Sequence, residues 1–429
     1  MGHHGTDATL IYNLFPRLAG RLKDWQVHFE RAVEMGFNWA YINPFYLTGA
    51  SGSLYGVADH MQVSPEFLDS EDPGQPWEQV AVMLGRAHAS GLRVMAEIVV
   101  PHMAADSPLV TSHPDWFVRD ADGTLVHPGV ADTKGRLVVW DDLVRVANAE
   151  SPDRDALWDF WRGVVERLLD AGFDGLRAHM AHEVPGDLWR AIISHARSIR
   201  SDVLFVAHTL GCPDWQTVEV AEQDFDFCLN SSRWWDFQQS WCLDQYRTTS
   251  RKTRTISFPE NHGGPRLMSE FEGNTAAVRM RYLFSALFSS AVMMPIGFEY
   301  GFSKPLDVKT TRPESWESPR SDLSDFIRSV NGLKSEFRVF HEDGALERME
   351  HPGAAIVALR KVSRDGGQKG LIVLNADPRR AHPVFFPAPH RTMGVASARD
   401  VTPGRNGSPE PKLVGKLPPS GFRVYVGDA

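Results

Sequence analysis

The residues best equipped for chemistry in this sequence are histidines that follow short apolar runs. They are His60 in "YGVADH", His102 in "EIVVPH", His179 and His182 in "GLRAHMAH", His208 in "VAHTLG" and His262 in "FPENHGG". Imidazole titrates near neutrality, so two rings on neighbouring elements can act as an acid and a base in proton transfer at carbon. Epimerisation, elimination and retro-aldol cleavage are reactions of that type. Three or four neutral rings, with Glu97 close by, are also a candidate first shell for zinc, iron or manganese. No short His-x-x-x-His spacing is present, so the candidate metal set His102, His179, His208 and His262 depends on the fold to bring it together.

The elements that must position these residues alternate in type. Strand signals run through "TLIYNLF", "NWAYINPF", "RVMAEIVV", "FDGLRA", "VLFVAHT", "FDFCLN", "RTISFPE" and "VMMPIGFEY". Amphipathic helical patterns such as "DWQVHFERAVEMG", "PWEQVAVMLGRAHASG" and "ALWDFWRGVVERLLDAG" lie between them. Eight strands alternating with helices predict an α/β fold, a (β/α)8 TIM barrel over residues 1–337, whose functional face lies at the strand C-termini. A Pro-, Asp- and His-rich connection at 102–152 reads as a short excursion over the barrel mouth after strand three. From 338 to 429 the pattern changes to strands without helices, which predicts a C-terminal antiparallel β-sandwich domain.

The bulk numbers agree with a soluble globular chain: 429 residues, 42% hydrophobic and 23% charged. A formal charge of -9 with no basic run argues against nucleic acid as a partner. Cys212, Cys228 and Cys242 form no CxxC pair, so neither a disulfide framework nor a thiolate zinc site is expected. That cysteine usage, and an N-terminus without a signal-peptide pattern, point to the cytoplasm. The two N-terminal histidines, native or not, are left out of the site. The run "LFSALFSSAVMMPIGF" is broken by serines and reads as a buried helix entering a buried strand, so no membrane partner is expected.

Several stretches resemble the α-amylase superfamily, glycoside hydrolase family 13. Within it they look most like the maltosyltransferases that move maltosyl units from maltose 1-phosphate onto α-glucan. The match is carried by "SLYGVADHMQVSPEF", "MAADSPLVTSHPDWF", "GFDGLRAHMAHEVPGDLW", "SFPENHGGPRL" and "FEYGFSKPLDVKTTRPESWE", in order along the barrel. With the first strand near residue 8, the large N-terminal extension of those enzymes is expected to be absent. The resemblance implies a carboxylate nucleophile, a carboxylic acid/base and a third carboxylate, the set that retaining glycosyl transfer needs. These positions fall on His179, His208 and Gly263, so all three carboxylates are expected to be replaced. Tyr55, Asp59, His102, Arg177, His262 and Arg266 match the family pattern. His60 and His182 stand where aromatic residues are expected, and Glu97 where an Asp is expected.

The leading expectation is a maltosyltransferase-like protein that cannot run retaining glycosyl transfer. Its histidine-lined pocket would act on a sugar-like or sugar-phosphate substrate, in a specialised pathway. His179 and His208 are the expected acid and base, supported by Arg177 and His262. Tyr55, Asp59, His60, His102, His182, Trp234, Lys304 and Arg266 are the expected substrate contacts. Trp234 offers a stacking face, and Lys304 and Arg312 follow strand eight, where barrels often hold anions. A non-catalytic carbohydrate-binding protein is one alternative. An unusual α-glucan maltosyltransferase that recruits Glu183 or Glu260 is another. Homodimerisation is left open.

Overall fold

The computed structural model describes residues 8–131, 136–405 and 412–429. Eight strands close into a parallel barrel: β1 (Thr9–Leu14), β2 (Trp39–Ile42), β3 (Arg93–Ile98), β4 (Gly175–Ala178), β5 (Leu204–Ala207), β6 (Phe227–Leu229), β7 (Arg254–Ser257) and β8 (Ala291–Pro295), with β8 pairing back onto β1. All eight coincide with strand signals of the sequence. The surrounding helices are α1 (Gln26–Glu34), α2 (Pro76–Ala89), α3 (Arg154–Ala171), α4 (Gly186–Ile199), α5 (Asp214–Ala221), α6 (Trp241–Thr249), α7 (Thr275–Phe288) and α8 (Ser324–Glu336).

Side chains alternate along each strand. Leu176 and Ala178 of β4, with Phe205 and Ala207 of β5, face outward into the core shared with the helices. Trp39, Tyr41, Met95, Leu204 and Val206 fill the barrel interior. The same alternation aims Glu97 and Arg177 inward, and β3–β4 register sets them opposite each other. The ladder runs one residue beyond the strands, since His179 N donates to Ile98 O at 3.0 Å and His208 N to Ala178 O at 3.0 Å. His179 and His208 therefore sit side by side at the mouth.

A hairpin after β2, Tyr46–Thr48 with Val57–Val63, brings Tyr55 to the mouth. The excursion after β3 holds two small ribbons, His102–Ala104 with Leu143–Arg145 and Gly129–Ala131 with Leu137–Val139. Beyond α8 the chain forms β9 (Leu346–Met349), β10 (Ile356–Val362), β11 (Gln368–Asn375), β12 (His382–Phe386), β13 (Arg399–Asp400), β14 (Leu413–Leu417) and β15 (Phe422–Asp428). Five of these make an antiparallel sheet ordered β9-β10-β11-β15-β13, and β12 with β14 forms a ribbon. One sheet face, including Val357, Leu359, Ile372 and Val424, shares the barrel's outer core, while Ile356, Ala358, Leu371 and Val373 pack with Val384 and Phe386 of the ribbon.

The β10 and α8 residues nearest the barrel include two fully buried lysines. Lys334 Nζ donates to the carbonyls of Ala286, Ser289 and Phe340 at 2.6–2.7 Å, and Lys361 Nζ to those of Leu287 and Phe288. These include C-terminal carbonyls of α7, which have no partner within their own helix. Among the described residues no helix is long and apolar enough to cross a membrane. The "LFSALFSSAVMMPIGF" run forms the end of α7 and the whole of β8, as its interrupted pattern predicted.

Candidate active site

At the centre of the barrel mouth lies one carboxylate, that of Glu97, with no solvent exposure. It accepts hydrogen bonds from the hydroxyls of Tyr41 and Tyr55, the latter at 2.7 Å, and from the Arg177 guanidinium. His179 Nδ1 completes the set at 3.3 Å. Burial opposes ionisation of Glu97, but the attraction of Arg177, followed by His179, outweighs it and holds the pKa down at about 2. Arg177 is fixed in turn against the Tyr41 ring, 4.9 Å from its centroid. The buried charges of Glu97 and Arg177 thus balance.

Hydrogen-bond partners set the tautomers of the two exposed-edge imidazoles. An ionised carboxylate only accepts, so His179 carries its proton on Nδ1 and keeps a lone pair on Nε2. His208 is the reverse, because its Nδ1 accepts from the Met180 amide at 3.3 Å. A neutral His208 therefore holds its proton on Nε2. The rings lie 5.4 Å apart, centroid to centroid. Burial lowers the pKa of both, which favours the neutral forms. One acceptor and one donor consequently stand together at the ends of β4 and β5. Met180 makes this arrangement with φ 41°, a left-handed conformation that non-glycine residues rarely hold.

His262 and His102 support the pair from either side. Tyr55 donates to Glu97, so its oxygen accepts from His262 Nε2 at 2.8 Å, and Asn43 Nδ2 lies 3.1 Å from His262 Nδ1. His102 stands edge-on to His179 at 5.4 Å. Its ring is tied to the Tyr55 backbone, and among the described residues its buried Nε2 has no partner. Burial, with a contribution at His102 from His179, pushes both His102 and His262 down to about 3.

Tyr55, His102, Arg177, His179, His208 and His262 are thus brought together as the sequence suggested, while other expected contacts go elsewhere. Asp59 is engaged by the Met61 amide and the Gln62 side chain, both at 2.7 Å. His60 points into an aromatic core, with Trp161 at 5.1 Å and Tyr46 at 5.2 Å, and has no solvent exposure. Alternation within their strand sends these two neighbours to opposite faces, neither of them the mouth. Arg266 is buried in an ion pair with Glu260 at 2.7 Å and donates to Ile296 O, so neither residue is free for substrate. His182 stays on the rim, its Nε2 3.6 Å from Glu183. Trp234 is 52% exposed, edge-on to Phe258. Lys304 is exposed on the loop after β8, and Arg312 there donates to the carbonyls of Lys309 and Thr311.

The four candidate metal ligands do not converge. His179, His208 and His262 direct ring nitrogens at Glu97, Met180 and Tyr55, and among the described residues no group of three or more His, Cys, Asp or Glu side chains is placed to hold a metal ion. Sequence reasoning missed Tyr41 and Asn43. Both follow from the strand-end rule, since Trp39, Tyr41 and Asn43 are successive inward positions of β2 and its extension.

Solved structures with this architecture include α-amylases. The chain superposes on the α-amylase of Geobacillus thermoleovorans with a TM-score of 0.76 at 14% identity, covering 98% of each chain. It superposes on a maltogenic α-amylase of Thermotoga neapolitana with a TM-score of 0.75 at 18% identity, covering 98% of this chain and 99% of the other. The fold is that of an amylase-type barrel. In sequence, residues 5–119 match the family model of the glucanotransferase domain of glycogen debranching enzyme. Two similar relatives are α-1,4-glucan:maltose-1-phosphate maltosyltransferases. That of Burkholderia pseudomallei is 27% identical over 87% of this chain and 33% of its own length, and that of Myxococcus xanthus 22% identical over 90% and 61%. The chain thus spans about a third to three fifths of these relatives. In sequence and in fold the chain is similar to members of the α-amylase superfamily, glycoside hydrolase family 13, the maltosyltransferases among them.

Proposed function

We propose that this protein is an enzyme that transfers protons on a sugar-like or sugar-phosphate substrate, with His179 as base and His208 as acid. The observation that carries the reading is the complementary pair at the mouth: a bare Nε2 on His179, backed by Glu97, beside a protonated Nε2 on His208. Glu97 orients the His179 ring and stabilises the imidazolium formed when Nε2 takes a proton. His208 can deliver a proton to an oxygen of the same substrate. The sugar-like substrate is carried over from the relatives named above. Retaining glycosyl transfer fits the mouth less well, because Glu97 is saturated and Glu260 is committed to Arg266.

The test is proton NMR in deuterium oxide with maltose, glucose 1-phosphate and maltose 1-phosphate. Loss of a ring-proton signal by exchange with solvent is expected for at least one of them. His179→Gln should slow that exchange by at least about 100-fold. Exchange unaffected by His179→Gln, or none with any of the three, would refute the reading. A second reading, maltosyl transfer, is favoured by the relatives' activity and by Glu183, a carboxylate that reaches the cleft beside His102 and Met180. Glucan elongation from maltose 1-phosphate, lost in Glu183→Gln, would establish it instead.

A further inference from the structure

Away from the mouth, a groove of about 530 Å³ runs between the outer helices of the barrel and the C-terminal sheet. One wall comes from the N-terminal halves of α7 and α8, with Arg279, Asp325 and Phe326, and the other from the chain around β13 and β15, with Arg405, Ser420 and Arg423. Three guanidinium groups thus line it against one carboxylate. That carboxylate, of Asp325, is already bonded to Arg328 at 2.6 Å. A local excess of positive charge is therefore built into a chain whose formal charge is -9.

The protein does little to neutralise these charges itself. Among the described residues Arg279 forms no ion pair, its guanidinium lying over the Phe326 ring, 5.6 Å from the centroid. Arg405 comes no closer than 3.7 Å to Asp400, beyond hydrogen-bond reach. Arg423 donates at 2.7 Å to the carbonyl of Phe422. Burial, and after it the charge of Arg405, lower the Arg423 pKa, as expected of two cations held together. The groove also holds a buried polar group of another kind. Ser420 is 1% exposed, and among the described residues its hydroxyl has no hydrogen-bond partner, which is uncommon for a buried polar atom. The first turns of α7 and α8, the positive ends of two helix dipoles, open on the same groove.

Guanidinium groups pair with phosphate oxygens through two parallel hydrogen bonds, and three of them match more than one phosphate. The volume lies in the range of small-molecule sites, about 300–1,000 Å³. We propose that this groove binds a small molecule carrying two or more phosphate groups, held by Arg279, Arg405 and Arg423, at a site separate from the barrel mouth. Its walls come from both halves of the chain, so the ligand bridges barrel and C-terminal sheet. Nothing in this depends on the chemistry of His179 and His208.

The test is isothermal titration calorimetry of the full chain with pyrophosphate, ADP and adenosine. Pyrophosphate and ADP should bind, with affinity falling as salt is raised, and adenosine should bind at least about tenfold more weakly than ADP. ADP binding more tightly than pyrophosphate would support a nucleotide, its base against Phe326 and Phe422, whose rings lie 5.9 Å apart. Equal affinities would support the same site with the phosphates as its whole determinant. The double variant Arg279→Gln with Arg405→Gln changes two exposed side chains, and it should weaken both ligands at least about tenfold. His179→Gln should bind them as the wild type does. No binding of pyrophosphate or ADP, adenosine binding as tightly as ADP, or full affinity in the double variant would overturn the proposal. So would affinity lost in His179→Gln, which would place the ligand at the mouth.

Discussion

At the scale of single residues the site turns on one buried ion pair. Glu97 and Arg177 have almost no contact with water, and each is the other's main compensation. Removing one partner strands a charge in the interior, whereas removing both does not. Arg177→Met should therefore cost about 3–5 kcal/mol of stability, and the double variant Arg177→Met with Glu97→Gln should recover a good part of it. Urea unfolding midpoints of the two variants and the wild type decide this. A double variant less stable than Arg177→Met would show that Glu97 owes its place to the tyrosines and His179 instead. The pairing could not be read from the sequence, because the two residues are 80 positions apart and only barrel register sets them opposite each other.

At the scale of elements, the turn from β4 into its loop sets the chemistry. The Met180 amide keeps a proton off His208 Nδ1 at the cost of a left-handed backbone at a non-glycine residue. Glycine adopts that conformation without the steric penalty. Met180→Gly should then raise stability by up to about 1 kcal/mol, while loosening the turn and lowering the proton-exchange rate. Thermal unfolding and the NMR assay read the two effects, and a variant both less stable and fully active would contradict the role given to the turn. The strands that lead here were legible, since each is a short apolar run ending at a polar residue, and so were His179, His208 and His262 as strand-end groups. Helices α5 and α6 were not, because each has only eight or nine residues and a weak apolar stripe. Asp59 and His60 misled because they follow an apolar run that belongs to a separate hairpin rather than to the barrel. The bond between Glu260 and Arg266 lies within one loop, where no periodicity reports it.

At the scale of the whole molecule, barrel and C-terminal sheet are joined by the lysines beneath α7. Burial lowers the Lys361 pKa to about 8 from its ordinary value of 10.5. Between those values the unfolded chain binds a proton that the folded chain has released, so this group adds stability as pH rises. The gain is at most about 1.4 kcal/mol per pH unit. Lys361→Met lacks it, so urea midpoints at pH 8, 9 and 10 should move progressively in favour of the wild type. A constant difference across that range would show that Lys361 does not titrate there. The shared core has a further consequence for anyone dividing the chain. Val357, Leu359, Ile372 and Val424 cover apolar surface of the barrel half, and Lys361 satisfies carbonyls of its last long helix before β8. A fragment ending at Glu336 would carry a sticky, unsatisfied flank, and a C-terminal sheet grafted from a relative would have to bring its own donor for the end of α7.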